Sequence, residues 1–203
     1  MTKTYLEQVA ERESEPDFLK NATERADAIT DRLRKTNINA LAQASQLFQK
    51  PSQKIYYMRR VLDTLALATA GIVPCKAGCS DCCHMATSIT LREAQDIAKA
   101  SGRTLTLPTD KKSDFDAVQA FSGLPCPMLK DNRCSVYAHR PFACRSHYSV
   151  DRDNLLCKIV PGKTIKAPSF KNEQFAMLNA LTYKLEEYST MADIREYFEL
   201  ESK

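Results

Sequence analysis

The chain gathers its eight cysteines into two groups and places none elsewhere. The first reads Cys75-Lys-Ala-Gly-Cys79-Ser-Asp-Cys82-Cys83, four thiols within nine residues. The second comprises Cys126, Cys134 and Cys144, with Cys157 trailing. Clustered thiols either form disulfides or bind a soft metal: thiolates select zinc, Cu(I) or iron–sulfur clusters. Disulfides rescue chains too short to build a core. This chain has 203 residues, 43% of them hydrophobic, which is enough to bury a core. The opening stretch, MTKTYLEQVAERESEP, is acidic and lacks the apolar run of a signal peptide. The longest apolar stretch, about 61–73, is too short to span a bilayer and carries Asp63, so no membrane insertion is expected. The expected location is cytoplasmic, where thiols stay reduced, and metal ligation is favoured over disulfides.

The net charge of +4 is mild. Its one concentrated region holds Lys158, Lys163, Lys166 and Lys171, with no acid between Asp153 and Glu173. This reads as a solvated loop. No aromatic interleaving or nucleic-acid motif accompanies it, so a nucleic-acid partner is not expected.

Five glycines and no tryptophan, with abundant Ala, Leu, Gln and Glu, predict a mainly α fold: helices around an irregular cysteine-rich core with little or no sheet. Helices are expected over about 5–50, with Phe18, Ala22, Ala26, Ile29 and Leu33 in step, then Ile38, Leu41, Ala42 and Phe48. A clearer helix runs from about Ser52 to Ala70, striped by Ile55, Met58, Leu62, Leu65 and Thr69 and stopped at Gly71. Thr90 and Glu93 form a capping-box signature opening a helix to about Ala100. Another is expected over about 110–121 with Phe115, Val118 and Phe121 inward. The stretch 123–168 holds five of the nine prolines, with Pro108 just before it, and shows little periodicity. Two helices close the chain: one carries Leu178, Leu181, Leu185 and Tyr188, and the other starts at Thr190 and Asp193 and carries Ile194, Tyr197 and Phe198. The organisation expected is an N-terminal helical segment (1–72), a cysteine-cluster region (73–160) and C-terminal helices (161–203), together one compact domain.

The cysteine spacings have geometric meaning. Cys79-x-x-Cys82 lets two sulfurs converge on one metal. Gly78 eases the tight turn before it, and Cys75 can swing in as a further ligand. Cys82 and Cys83 are adjacent, and neighbouring side chains diverge in extended backbone, so the pair can serve two metals, two corners of a cluster, or a ligand and a redox thiol. The second group is looser, and with Cys157 it closes a four-sulfur site of its own or completes sites begun by the first. All eight, Cys75, Cys79, Cys82, Cys83, Cys126, Cys134, Cys144 and Cys157, are candidate metal ligands. Arg133, Arg140 and Arg145 flank the thiols and are candidates to offset thiolate charge and bond to sulfur, Arg140 and Arg145 foremost. Four thiolates leave about −2 on either Zn²⁺ or [4Fe–4S]²⁺ by formal counting, so the arginines do not tell these apart. His84, His139 and His147 all lie beside the cysteine groups. They read as surface or supporting residues, though each has ligand chemistry.

The run CKAGCSDCC followed by CPMLKDNRCSVYAHRPFACRSH resembles the YkgJ-type cysteine-cluster family, also described as the zinc- or iron-chelating CxxCxxCC domain. The residues that match are the opening group ending in the Cys82-Cys83 doublet, Cys126-Pro-x-Leu129, Cys134-x-x-Tyr137, Arg140-Pro141 and Cys144-Arg145. The resemblance covers about 73–160 and implies metal binding, often as an iron–sulfur cluster. A related cysteine cluster occurs in flagellin lysine methylases, where it is linked to methyl transfer. Ser146-His147 stand where an aromatic often follows Cys-Arg.

The expected function is metal binding through these thiolates. An iron–sulfur cluster, [4Fe–4S] by preference, is favoured over zinc, on the resemblance and the excess of thiols over one tetrahedral zinc site, although two zinc ions would use the eight thiolates equally well. Two alternatives stand beside it: a cluster-dependent enzyme acting on a protein by group transfer or redox chemistry, and an interaction module with purely structural zinc. The spacing Cys75-x-x-x-Cys79-x-x-Cys82 matches the radical-SAM motif formally, but the chain lacks the alternating β/α pattern of the barrel that carries it. No protein partner, substrate or oligomeric state is specified by the sequence.

Overall fold

The computed structural model describes residues 3–47, 51–160, 162–170 and 190–199. Helix α1 (Tyr5–Glu13) opens on a capping box: the Glu7 amide donates to the Thr4 hydroxyl, and the Glu7 carboxylate accepts from the Thr4 amide. Helices α2 (Phe18–Arg34), α3 (Ile38–Leu47) and α4 (Pro51–Thr69) follow. Pro51 begins α4, where a missing N–H costs nothing. Gly71, at φ +74°, turns the chain out of α4. Predicted stripe residues pack together: Ile29, Leu33, Ile38, Leu41, Met58, Leu62 and Leu65 form one core with Val61, joined by Phe142, Tyr148, Val150 and Phe170 from the cysteine-rich half. Phe48 lies outside the described residues, as does the expected helix bearing Leu178, Leu181, Leu185 and Tyr188.

A second core forms around α5 (Leu91–Ser101), which begins with the predicted Thr90–Glu93 capping box and ends at Gly102. Ile89, Ala94 and Ile97 pack there with Met128, Val136, Ile194, Tyr197 and Phe198. The last three come from α8 (Ile194–Tyr197) and the residue after it, and Asp193 caps that helix. Strand β1 (Ser88–Ile89) pairs antiparallel with β4 (Ala192–Asp193), which draws residues near 190 onto the cysteine region. Strands β2 (Leu129–Lys130) and β3 (Arg133–Cys134) form a hairpin across Asp131 and Asn132, both at positive φ (49° and 57°), as a type I′ turn requires. These two-stranded pieces are the strands among the described residues, and the fold is mainly α.

Helix α6 (Asp114–Phe121) corrects one expectation. Phe115 and Val118 do not face inward; they are 72% and 48% exposed, and Ala117 is the buried residue. The helix begins at Asp114, capped by Ser113, and its small residue makes the close contact. Helix α7 (Phe142–Ser146) and the 3₁₀ turns Asp81–His84 and Leu155–Cys157 carry four of the cysteines, and a third 3₁₀ turn, Tyr137–His139, follows Cys134. The thiols sit at the seam of the two cores: Cys75 packs against the first, Cys126 and Cys134 against the second.

Candidate metal centre

The first cysteine group is shaped by tight backbone turns. Gly78 takes φ +93°, and an added Cβ there would meet nothing within 4 Å, so the glycine answers a backbone need and not crowding. The Cys79 amide bonds the Lys76 carbonyl (3.0 Å) and the Cys83 amide bonds the Ser80 carbonyl (2.9 Å). Cys82 and Cys83 lie in the 3₁₀ turn rather than in extended backbone, and both reach the same cavity. The second group is fastened directly to the first: the Cys126 amide donates to the Cys83 carbonyl (2.7 Å) and the Gly123 amide to the His84 carbonyl (2.8 Å). Cys134 arrives on the β2–β3 hairpin and Cys144 on α7. Glu93 helps place α7: one carboxylate oxygen completes the cap of α5, and the other accepts from the Phe142 amide at 2.7 Å.

These elements leave a cavity of about 50 Å³ whose wall includes Cys79, Cys82, Cys83, Cys126, Cys134 and Cys144. The remaining wall is apolar apart from Thr87, Tyr137 and Arg140, with no carboxylate and no imidazole. That donor chemistry suits a soft metal or an iron–sulfur cluster and not a hard cation, which needs oxygen ligands. All eight cysteines are free thiols. As placed, no three His, Cys, Asp or Glu side chains among the described residues meet at metal-binding distance. Holding a metal therefore requires the thiols to close inward from the cavity wall.

Burial raises the pKa of most of these thiols. Cys126 is pushed up to about 11, Cys144 well above its ordinary range, and Cys134 and Cys79 in the same direction. Cys82 is the exception. Cys83 donates its thiol hydrogen to the Cys82 sulfur, and with Arg140 nearby this draws Cys82 down to about 7 while Cys83 rises. Arg140 also opposes the upward shifts of Cys134 and Cys144. Its guanidinium lies 3.7 Å from the centre of the Tyr137 ring, and its Nε donates to the Tyr137 carbonyl.

The other flanking residues are placed differently. Arg145 pairs with Asp63 on α4, and Arg133 is exposed on the hairpin. Cys75 and Cys157 do not line the cavity; the Ser149 amide favours the Cys75 thiolate and the Ser149 hydroxyl favours that of Cys157. Burial still lifts Cys75 and pushes Cys157 up to about 12. His84 is half-buried and His139 exposed. His147 lies on the open rim of a wider recess of about 300 Å³, which Met85 and Met191 also line and which shares Cys82 and Cys144 with the cavity.

Arg195 and Asp193 form a buried clamp beside the cavity, and the role of Arg195 was not legible in the sequence. The Arg195 side chain is 1% exposed and pairs with Asp193 at 3.0 Å. Its nitrogens donate to the carbonyls of Leu124 (2.7 Å), Pro125 (3.2 Å), Met85 (3.2 Å) and Cys83 (3.3 Å). Asp193 in turn accepts from the Thr87 amide at 2.5 Å. One buried ion pair thus fastens the loop after the cysteine doublet to the loop before Cys126. The only sequence signal here is Asp193 as a helix start, since backbone carbonyls leave no side-chain signature.

Residues 74–179 match the profile of the CxxCxxCC family, described as "Putative zinc- or iron-chelating domain". No curated protein matches the chain, and no solved structure does.

Proposed function

The chain belongs to the CxxCxxCC family of zinc- or iron-chelating domains, and from that premise we propose that its cysteine cavity holds an iron–sulfur cluster through thiolate ligands. The observation that carries this reading is the number of sulfurs around one enclosed space: six cysteines line it, with no carboxylate or imidazole among them. A tetrahedral zinc takes four ligands and leaves the others without a role, whereas a cluster presents several irons to surrounding thiols. Arg140 provides positive charge against the roughly −2 that four thiolates leave on [4Fe–4S]²⁺, and bears directly on the Cys82, Cys134 and Cys144 thiols. Arg195 and Asp193 hold the two cysteine loops in place behind the cavity. When bound, a cluster of this kind supplies one-electron chemistry or a rigid cross-link between the loops.

The test is elemental and spectroscopic. Protein purified without oxygen should be brown and carry about four iron and four sulfide per chain. A colourless protein with stoichiometric zinc and no iron overturns the cluster reading. Substituting serine at Cys82 or Cys144 should lower iron content and stability together.

A further inference from the structure

The recess beside the cavity holds about 300 Å³ and lies where three segments meet: residues 85–88 after the cysteine doublet, Ala143 and Cys144 on α7, and Met191 just before β4. That volume is at the small end of the range for ligand pockets. The backbone sets its walls: Ser88 pairs with Asp193 and Ile89 with Ala192, and the Asp193 carboxylate accepts from the Thr87 amide. Cys82 and Cys144 line both the recess and the cavity, so an occupant of the recess borders the sulfur wall of the cluster site. The rest of the lining selects the occupant. No carboxylate, ammonium or guanidinium among the described residues lines the recess, so a charged ligand would lose its water without gaining an ion partner. Met85 and Met191 offer polarizable thioethers, which favour contact with aromatic rings. Two hydroxyls also line it, and both commit their hydrogens to the protein: Ser88 donates to Asp114 at 2.8 Å and Thr87 to the Met85 carbonyl at 3.2 Å. Toward an occupant they can therefore only accept.

We infer that the recess is a binding site for a small uncharged aromatic molecule carrying an O–H or N–H donor, its ring against Met85 and Met191 and its donor toward Thr87 and Ser88. The site rests on the cluster reading only for what it adjoins: with a cluster bound, the ligand lies against the Cys82–Cys144 edge of it. Charge decides which molecules enter, and the donor decides between molecules of the same shape. A phenol or an indole meets every condition. Its methylated counterpart has no hydrogen to offer two acceptors, and an aryl carboxylate brings a charge that nothing in the lining offsets.

Three probes test this on the whole chain purified without oxygen: p-cresol, its methyl ether and p-toluate, with dissociation constants read by ligand-observed NMR. Binding of p-cresol should be saturable, about fivefold or more tighter than that of the ether and at least about tenfold tighter than that of the carboxylate. Ala86→Leu fills the recess and should weaken p-cresol by at least about tenfold. The double variant Thr87→Val, Ser88→Ala nearly keeps the shape and should bind p-cresol and the ether alike. An unchanged helical circular dichroism signal separates loss of the site from loss of the fold. Equal binding of p-cresol and the ether to wild type overturns the site, as does binding that survives Ala86→Leu in folded protein. In iron-loaded protein, p-cresol should shift the visible or electron paramagnetic resonance spectrum; saturable binding without a shift overturns the placement beside the cluster. Iron-free protein that binds p-cresol, and loses it in Ala86→Leu, overturns the cluster reading and supports this one.

Discussion

The guanidinium of Arg195 joins two loops by satisfying backbone carbonyls on both. Removing it takes the buried charge partner from Asp193 and the side-chain donor from those carbonyls. Arg195→Met should therefore cost about 3–5 kcal/mol, read from urea unfolding, with metal content falling in parallel. Arg195→Lys should not rescue, because an ammonium lacks the planar fork that reaches several acceptors at once. The thiols make two further predictions for the metal-free protein. Cys82, drawn down to about 7, should be the first to react with iodoacetamide, with half-maximal rate near pH 7, and Cys83→Ala should move that midpoint upward. Cys126 and Cys157 have the opposite sign. Their folded values, about 11 and about 12, lie above the ordinary thiol value of 9.0, so their contribution to stability is intact below pH 9 and lost as pH rises toward 12. The urea midpoint should fall across that window. The cysteines were legible in the sequence because thiols concentrated at metal spacing have few other uses. Arg195 was not, because its partners are carbonyls about 70 and 110 positions away.

At the scale of elements, capping chemistry was the most readable feature. Thr90 and Glu93 gave the start of α5 correctly, and Thr4 with Glu7 serves α1 in the same way. What the motif hid is that Glu93 has a second oxygen to spend, on the Phe142 amide at the start of α7. Glu93→Ala should cost about 1–2 kcal/mol in thermal or urea unfolding, and should also loosen Cys144, measured as faster thiol alkylation in the metal-free protein. Helix α6 shows where periodicity misleads. Phe115, Val118 and Phe121 share a helical stripe, but the face the helix buries is the one that carries Ala117. The hairpin at Asp131–Asn132 escaped notice for a different reason: an Asp-Asn pair tolerates positive φ without the glycine that usually announces a type I′ turn.

At the scale of the molecule, the N-terminal helices carry no metal motif yet bear on the metal region. Arg12 is buried on α1 and pairs with Asp151 (2.6 Å) and Asp153 (2.7 Å), while the Tyr5 hydroxyl donates to the Leu155 carbonyl (2.8 Å). These contacts grip the segment that leads into Cys157. Arg12→Ala leaves Asp151, only 3% exposed, without its partner and should cost about 3–5 kcal/mol in urea unfolding. Its second signature should be faster reaction of Cys157 with a thiol reagent, with Cys144 less affected. The position of the Arg195 clamp has a consequence for synthesis. At 5–20 residues per second, the ribosome needs about 3–10 s to pass from Cys144 to Arg195. Throughout that interval the thiols have been made but the residue that brings their loops together has not. The clamp between the two cysteine loops forms only on a chain translated through Arg195, so until then the nascent loops lack the buried donor that joins them.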